Sequence, residues 1–267
     1  MKKFLIFVII VIPLIFLVTS CYNNVNEQTS NDMWETTKKD ISFFDEKKTE
    51  RYKNYKNKFP EKEIEQIIID VNIGLDNDFY TNTQPSKNIN SINILVNKYN
   101  YLERNYIPND LVPVNILTKM VKVAADAFNN MINAAKKEGY TIVGVSGYRS
   151  YSYQDNLYKK YVKIDGIKEA DTYSARAGHS EHQTGLAIDI SNGNLPYTSF
   201  EETKEFNWMQ KNAHKYGFIL RYPENKEKIT GYMYEAWHYR YVGENIAAYI
   251  KKHNITFDEY YAMFLNK

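Results

Sequence analysis

The sequence predicts an α+β fold, with one folded domain spanning residues 61–267. Segments with helical and with strand-like patterning alternate irregularly, and the strand-like ones are too few for a doubly wound sheet. The chain has 267 residues, 43% of them hydrophobic, enough to bury a sizeable core. A net charge of +2 points to neither nucleic acid nor strongly acidic partners.

Residues 1–20 stand apart from that domain. Lys2 and Lys3 precede an apolar run from Phe4 to Val18, broken only by Pro13, and small residues then lead into Cys21. Charge, a short apolar core and a small-residue cleavage site are the layout of a secretory signal peptide. The run is shorter than the roughly 20 residues of a membrane span. Val18-Thr-Ser-Cys21 resembles a bacterial lipobox, which implies that Cys21 is acylated and becomes the first residue of the mature chain. The expected location is the outer face of a bacterial plasma membrane, held there by lipid. Cys21 is the only cysteine, so lipidation leaves no thiol for disulfides, nucleophilic catalysis or a cysteine-rich zinc site. Without Lys2 and Lys3 the 34 basic and 32 acidic residues become 32 of each, so charge adds little to the tether. Residues 21–60 are polar without sustained apolar periodicity, and are expected to form a solvated, membrane-tethering stalk with helical turns near 45–58.

Within the domain, Ile64, Ile67, Ile68, Val71 and Ile73 are mostly spaced for a short helix, and 77–90 is loop-like. Ile92–Val96 is predicted as a strand and 107–110 as a turn. From Ile116 to Lys137, the residues Leu117, Met120, Val121, Ala124, Phe128, Met131, Ile132 and Ala135 fall on one helical face, with Gly139 as cap. Residues 140–146 (YTIVGVS) are predicted as a strand. Helices are expected over 154–163, 201–216 and 244–253, and strands over 187–190 and 239–242.

Two of the five histidines sit in unusual company. His182 lies in SEHQTGLAID (residues 180–189) and His238 in EAWH (235–238). Imidazole and carboxylate suit zinc, and His182, Asp189 and His238 would leave one position open for water, as a catalytic zinc needs. Gly185 allows the bend that turns a His and an Asp seven residues apart toward each other. Glu235, three residues before His238, is placed to act as general base. From the residues alone, Asp189 could equally cap a turn with Ser191 and Asn192, and a lone His is more often packed than ligating. No HExxH helix is present.

Four ordered blocks carry a more specific signal: SGYRS (146–150), SEHQTGLAID (180–189), YGFILRYP (216–223) and EAWHYRYVG (235–243). Together they resemble the VanY-type D-alanyl-D-alanine carboxypeptidases, in order from about Val96 to Gly243. Val71–Asp76 also resembles an N-terminal extension of some relatives. The resemblance implies the fold of zinc D,D-peptidases and the hedgehog signalling domain, a small antiparallel sheet flanked by helices. It implies one zinc on His182, Asp189 and His238, catalysis by Glu235, and a substrate-binding Arg149. The implied activity is removal of the C-terminal D-alanine from peptidoglycan stem peptides, by a protein expected to act as a monomer. Ala177 and Ala236 stand where the family usually has Pro, which affects loop rigidity rather than chemistry. Arg149 offers a bidentate fork for a terminal carboxylate or an oxyanion, and is also a candidate for a structural salt bridge. Ser150, Gln154 and Ser180 are further candidates to bind substrate, and Trp237 and Tyr148 to wall the pocket. His179, His214 and His253 are assigned no ligand role. The rival readings are an L,D-carboxypeptidase or endopeptidase on the same wall peptides, and a non-catalytic wall-binding module with a structural zinc.

Overall fold

The computed structural model describes residues 33–194 and 196–266. The segment expected to be a signal peptide and Cys21 therefore lie outside the described residues. Among the described residues no helix is long and apolar enough to cross a membrane. The described residues divide into two compact units, one ending at Val71 and the other spanning Asn72–Asn266.

In the first unit, residues 33–40 form helix α1, a 3₁₀ turn covers Glu46–Lys48, α2 is Thr49–Lys58, and α3 begins at Ile64 and ends at Ile73. Trp34, Tyr52, Tyr55, Ile67, Ile68 and Val71 bury together. Within the segment expected as a stalk, helices therefore cover residues 33–40 and Thr49–Lys58. The segment is polar on average, but a few aromatic residues bury against the apolar face of α3 and hold its helices in a small core. The boundary between the two units falls at 71/72.

Among the described residues the second unit contains three sheets. Short strands β1 (Gln84–Pro85) and β2 (Asn100–Tyr101) pair in parallel, and β3 (Leu111–Pro113) and β4 (Lys119–Val121) form a hairpin. Helix α4 (Lys122–Lys137) leads to β5 (Val143–Ser146), and α5 (Tyr151–Tyr173) bends at Gly166. Then follow β6 (Ala187–Ser191), α6 (Lys204–Asn212), β7 (Phe218–Leu220), α7 (Glu227–Thr230), β8 (His238–Tyr241), α8 (Glu244–His253) and α9 (Phe257–Phe264). The main sheet is antiparallel with strand order β5-β6-β8-β7.

Alternation along these strands sorts the side chains. Ile188, Ile190, Tyr239 and Phe218 face the main core with Phe128 and Met131 of α4. The opposite face carries Asp189, His238, Arg240 and Ile219, and Ile219 joins Ala247 of α8 and Phe257 of α9 in a second core.

Three predicted elements differ. The helix expected over 201–216 is α-helical only over Lys204–Asn212, between 3₁₀ turns at Tyr197–Glu202 and Ala213–Tyr216. The other two differ because of side-chain hydrogen bonds. Ile92–Val96 is irregular, although Ile94 and Val96 are buried, because its carbonyls are taken by side chains. Arg240 Nη2 donates to Ile92 O and Ile94 O, and Ser86 Oγ donates to Leu95 O. The helix predicted from Ile116 starts at Lys122 instead. Asn115 Oδ1 accepts from the backbone N–H of Leu117 and Thr118, closing the β3–β4 turn and leaving Ile116 and Leu117 at its exposed tip.

Candidate metal and catalytic site

The site is built where β6 and β8 pair. Asp189 stands directly opposite His238 in the ladder, so both side chains leave the same face as neighbours. His182 arrives from the 3₁₀ turn Glu181–Thr184, which Gly185 ends with a left-handed backbone (φ 69°). The bend expected at Gly185 is therefore present. A second close approach fixes the ring. His182 Nδ1 lies 2.7 Å from Gly147 O, so donation there presents Nε2 to the site. A Cβ at residue 147 would lie 2.2 Å from Lys119 O, so only glycine lets this loop pack there. Arg149 N–H donates to His182 O, tying the two loops together.

Donor atoms of His182, Asp189 and His238 all lie within 4.8 Å of one another. His182 Nε2 is 3.3 Å and His238 Nδ1 3.2 Å from Asp189 Oδ1, and the two rings are nearly perpendicular, 4.9 Å apart. All three residues are buried. Despite their proximity, His182 Nε2 and Asp189 Oδ1 make no hydrogen bond among the described residues. Two buried, unpartnered donor atoms aimed at one point fit a metal ion better than they fit each other.

The electrostatics agree. Burial, and then the Arg149 charge, push His182 down to about 4, so its imidazole is neutral. Burial raises Asp189, but the neighbouring histidines and Arg149 outweigh it and hold the carboxylate well below its usual range. Burial lowers His238, yet the nearby carboxylates of Asp189, Glu181 and Glu235 carry it up to about 9, a sign that this pocket of carboxylates attracts positive charge. Glu235 is buried beside them, its Oε2 3.5 Å from His238 Nδ1, and burial pushes its carboxyl up to about 7. Its backbone is held by N–H donation to Tyr222 O and by acceptance from His238 N–H.

These residues line a cleft of about 290 Å³. Arg149 enters it with its Nη2 3.7 Å from Asp189 Oδ2 and its Nε without a hydrogen-bond partner among the described residues. Trp237 lines the cleft and meets Tyr197 edge-on, and Ser180 lines it from just before His182. Gln154 also lines it, but its Nε2 donates to Ala175 O, so it braces the wall as well. Ser150 is different. It is the N-cap of α5, its Oγ accepting from Tyr153 N–H, and it is not among the cleft-lining residues. Tyr148 is likewise outside that lining, its N–H bonded to Lys119 O. His179 points elsewhere, with Nδ1 2.8 Å from Asn97 O and its ring against Tyr80. Tyr222 and Tyr232, which also line the cleft, were not singled out from sequence. Tyr222 stands immediately before Pro223 in the YGFILRYP block, and its ring packs on His238 at 4.8 Å.

The family model for VanY, D-alanyl-D-alanine carboxypeptidase, matches residues 117–244. A D-alanyl-D-alanine carboxypeptidase of Enterococcus faecium is 33% identical over 92% of this chain and 76% of its own length. The solved structure of the LdcB LD-carboxypeptidase is 43% identical, covers 70% of this chain and 94% of its own, and superposes with a TM-score of 0.64. A variant of the vancomycin-resistance D,D-pentapeptidase VanY, solved with Zn(II), is 31% identical with a TM-score of 0.57, covering 63% of this chain and 97% of its own. With the His-Asp-His cluster in place, the chain belongs to the VanY family of D-alanyl-D-alanine carboxypeptidases and is a zinc metallopeptidase.

Proposed function

We propose that this peptidoglycan carboxypeptidase holds zinc through His182, Asp189 and His238 and releases D-alanine from the C-terminus of stem peptides. The observation that carries the reading is the convergence of those three donors at a cleft beside a fourth buried group, Glu235, which is outside the donor set. When bound, zinc polarises the scissile carbonyl and lowers the pKa of a coordinated water toward neutrality. Glu235 accepts the proton of the attacking water and passes it to the leaving amine. Arg149, whose nearest carboxylate is only loosely held at 3.7 Å, pairs with the terminal carboxylate of the substrate or with the developing oxyanion. Trp237 and Tyr197 wall the cleft around the peptide. A purely structural zinc site has no need of the buried Glu235 carboxyl, which disfavours a non-catalytic binding module.

A second reading concerns which bond is cut. Both specificities release D-alanine, but a D,D-enzyme needs a stem ending in D-alanyl-D-alanine, and an L,D-enzyme a stem ending in a single D-alanine. The similarity to LdcB, at 43% identity, favours the L,D reading, and the similarity to the D,D-pentapeptidase favours the other. Digestion of purified pentapeptide and tetrapeptide muropeptides, read by mass spectrometry, separates them. Loss of one alanine from neither, by zinc-loaded protein, refutes the proposal. The placement at the membrane through Cys21 is also part of it, and rests on the sequence of residues 1–21.

A further inference from the structure

Behind His238, on the side away from Asp189, lies a buried ionic chain that neither the ligand set nor the general base uses. Glu181, immediately before His182, is 1% exposed. Its Oε1 accepts from Arg221 Nε and from Arg240 Nη1, both at 2.8 Å. Arg221 Nη1 continues to Asp258 Oδ2 in the first turn of α9 at 2.6 Å, and Asp258 Oδ1 accepts from Asn97 Nδ2 at 2.8 Å. Arg240 is anchored by the carbonyls of Ile92 and Ile94. Two arginines and two carboxylates therefore balance in a region closed to water, and each guanidinium has several acceptors.

The other oxygen of Glu181 is the informative one. Oε2 is 3.6 Å from His238 Nε2, and both atoms are buried without a hydrogen-bond partner among the described residues. His238 Nδ1 faces the donor cluster, so Nε2 must carry the ring proton whenever Nδ1 binds a metal. A carboxylate opposite that N–H fixes both tautomer and ring rotation, and raises the basicity of the ligating nitrogen. We propose that Glu181, held by Arg221 and Arg240, is a positioning residue for zinc. It takes the Nε2 proton of His238 as a hydrogen bond, and Asp258 of α9 anchors the far end of the chain.

This rests on the reading that His238 is a ligand. The test uses zinc-loaded full-length protein and two readouts. In wild type labelled with ¹⁵N-histidine, His238 should show a protonated Nε2 and a metal-bound Nδ1, with the Nε2 proton shifted downfield and slow to exchange. In Glu181→Gln, which keeps the shape but loses the charge, zinc affinity measured by chelator competition should fall about 10- to 100-fold, and the Nε2 proton should move upfield. Removing one charge from the buried network can also prevent folding, in which case the wild-type spectrum decides alone. A His238 bound through Nε2, or a folded Glu181→Gln with wild-type zinc affinity, overturns the inference and leaves the zinc peptidase reading standing. Loss of neither zinc nor affinity on His238→Ala would instead sink the ligand assignment itself.

Discussion

Replacing Glu235 by Gln isolates the proposed chemical step from metal binding. The carboxyl is buried, 3.5 Å from His238 Nδ1, and its backbone N–H and C=O are both bonded, so an amide of nearly equal size can occupy the same place. The three converging donors do not include it, so zinc content should stay at one per chain. What is lost is proton acceptance. General acid–base catalysis contributes about 10²–10⁴-fold, which at about 1.4 kcal/mol per decade is roughly 3–5 kcal/mol of barrier. Turnover should fall by at least that factor, with KM nearly unchanged, because Arg149 and the cleft walls remain. The assay is release of D-alanine from peptides ending in D-alanyl-D-alanine or in a single D-alanine, beside elemental analysis for zinc. A Glu235→Gln variant with zinc bound and more than a tenth of wild-type turnover would refute the general-base role. A variant that loses zinc would mean that Glu235 is itself a ligand.

Arg149→Ala should raise KM and lower kcat together, by about 10- to 1,000-fold in kcat/KM, because it removes a charged hydrogen-bond donor from the cleft; an unchanged KM and kcat would assign Arg149 to its contact with Asp189. Gly147→Ala should destabilise the fold by about 1–3 kcal/mol, as overpacking does, and weaken zinc binding, since a Cβ there meets Lys119 O at 2.2 Å and the Gly147 carbonyl holds His182; denaturant titration and chelator competition read the two effects, and wild-type values for both would show that the loop moves freely. Cys21→Ala should release the protein from membranes or leave its signal peptide uncleaved, as fractionation and mass measurement would show; a processed, membrane-bound variant would remove the lipid anchor from the proposal.

By itself, the sequence determined what depends on short-range pattern. The alternation in β6 and β8 is local, and so is the helical period of α8, whose predicted bounds Glu244–His253 are those observed. The ligand candidates and Glu235 were legible because a His, an Asp and a Glu in these motifs are chemically conspicuous. Helix α9 was legible too, though it was not predicted. Thr256 and Glu259 form the capping box that such a helix start displays. Tertiary structure decided what depends on distant partners. Ile92–Val96 has the composition of a strand, but Arg240, almost 150 residues later, takes two of its carbonyls. The apolar spacing of Leu117, Met120 and Val121 suits a helix until the Asn115 side chain closes a turn there. That Ser150 caps helix α5 also follows only from the structure. The same holds for Glu181. In sequence it is one more acidic residue beside a histidine. Only burial between two arginines and behind His238 gives it a role, because a charge removed from water must be satisfied by groups that the chain brings from elsewhere.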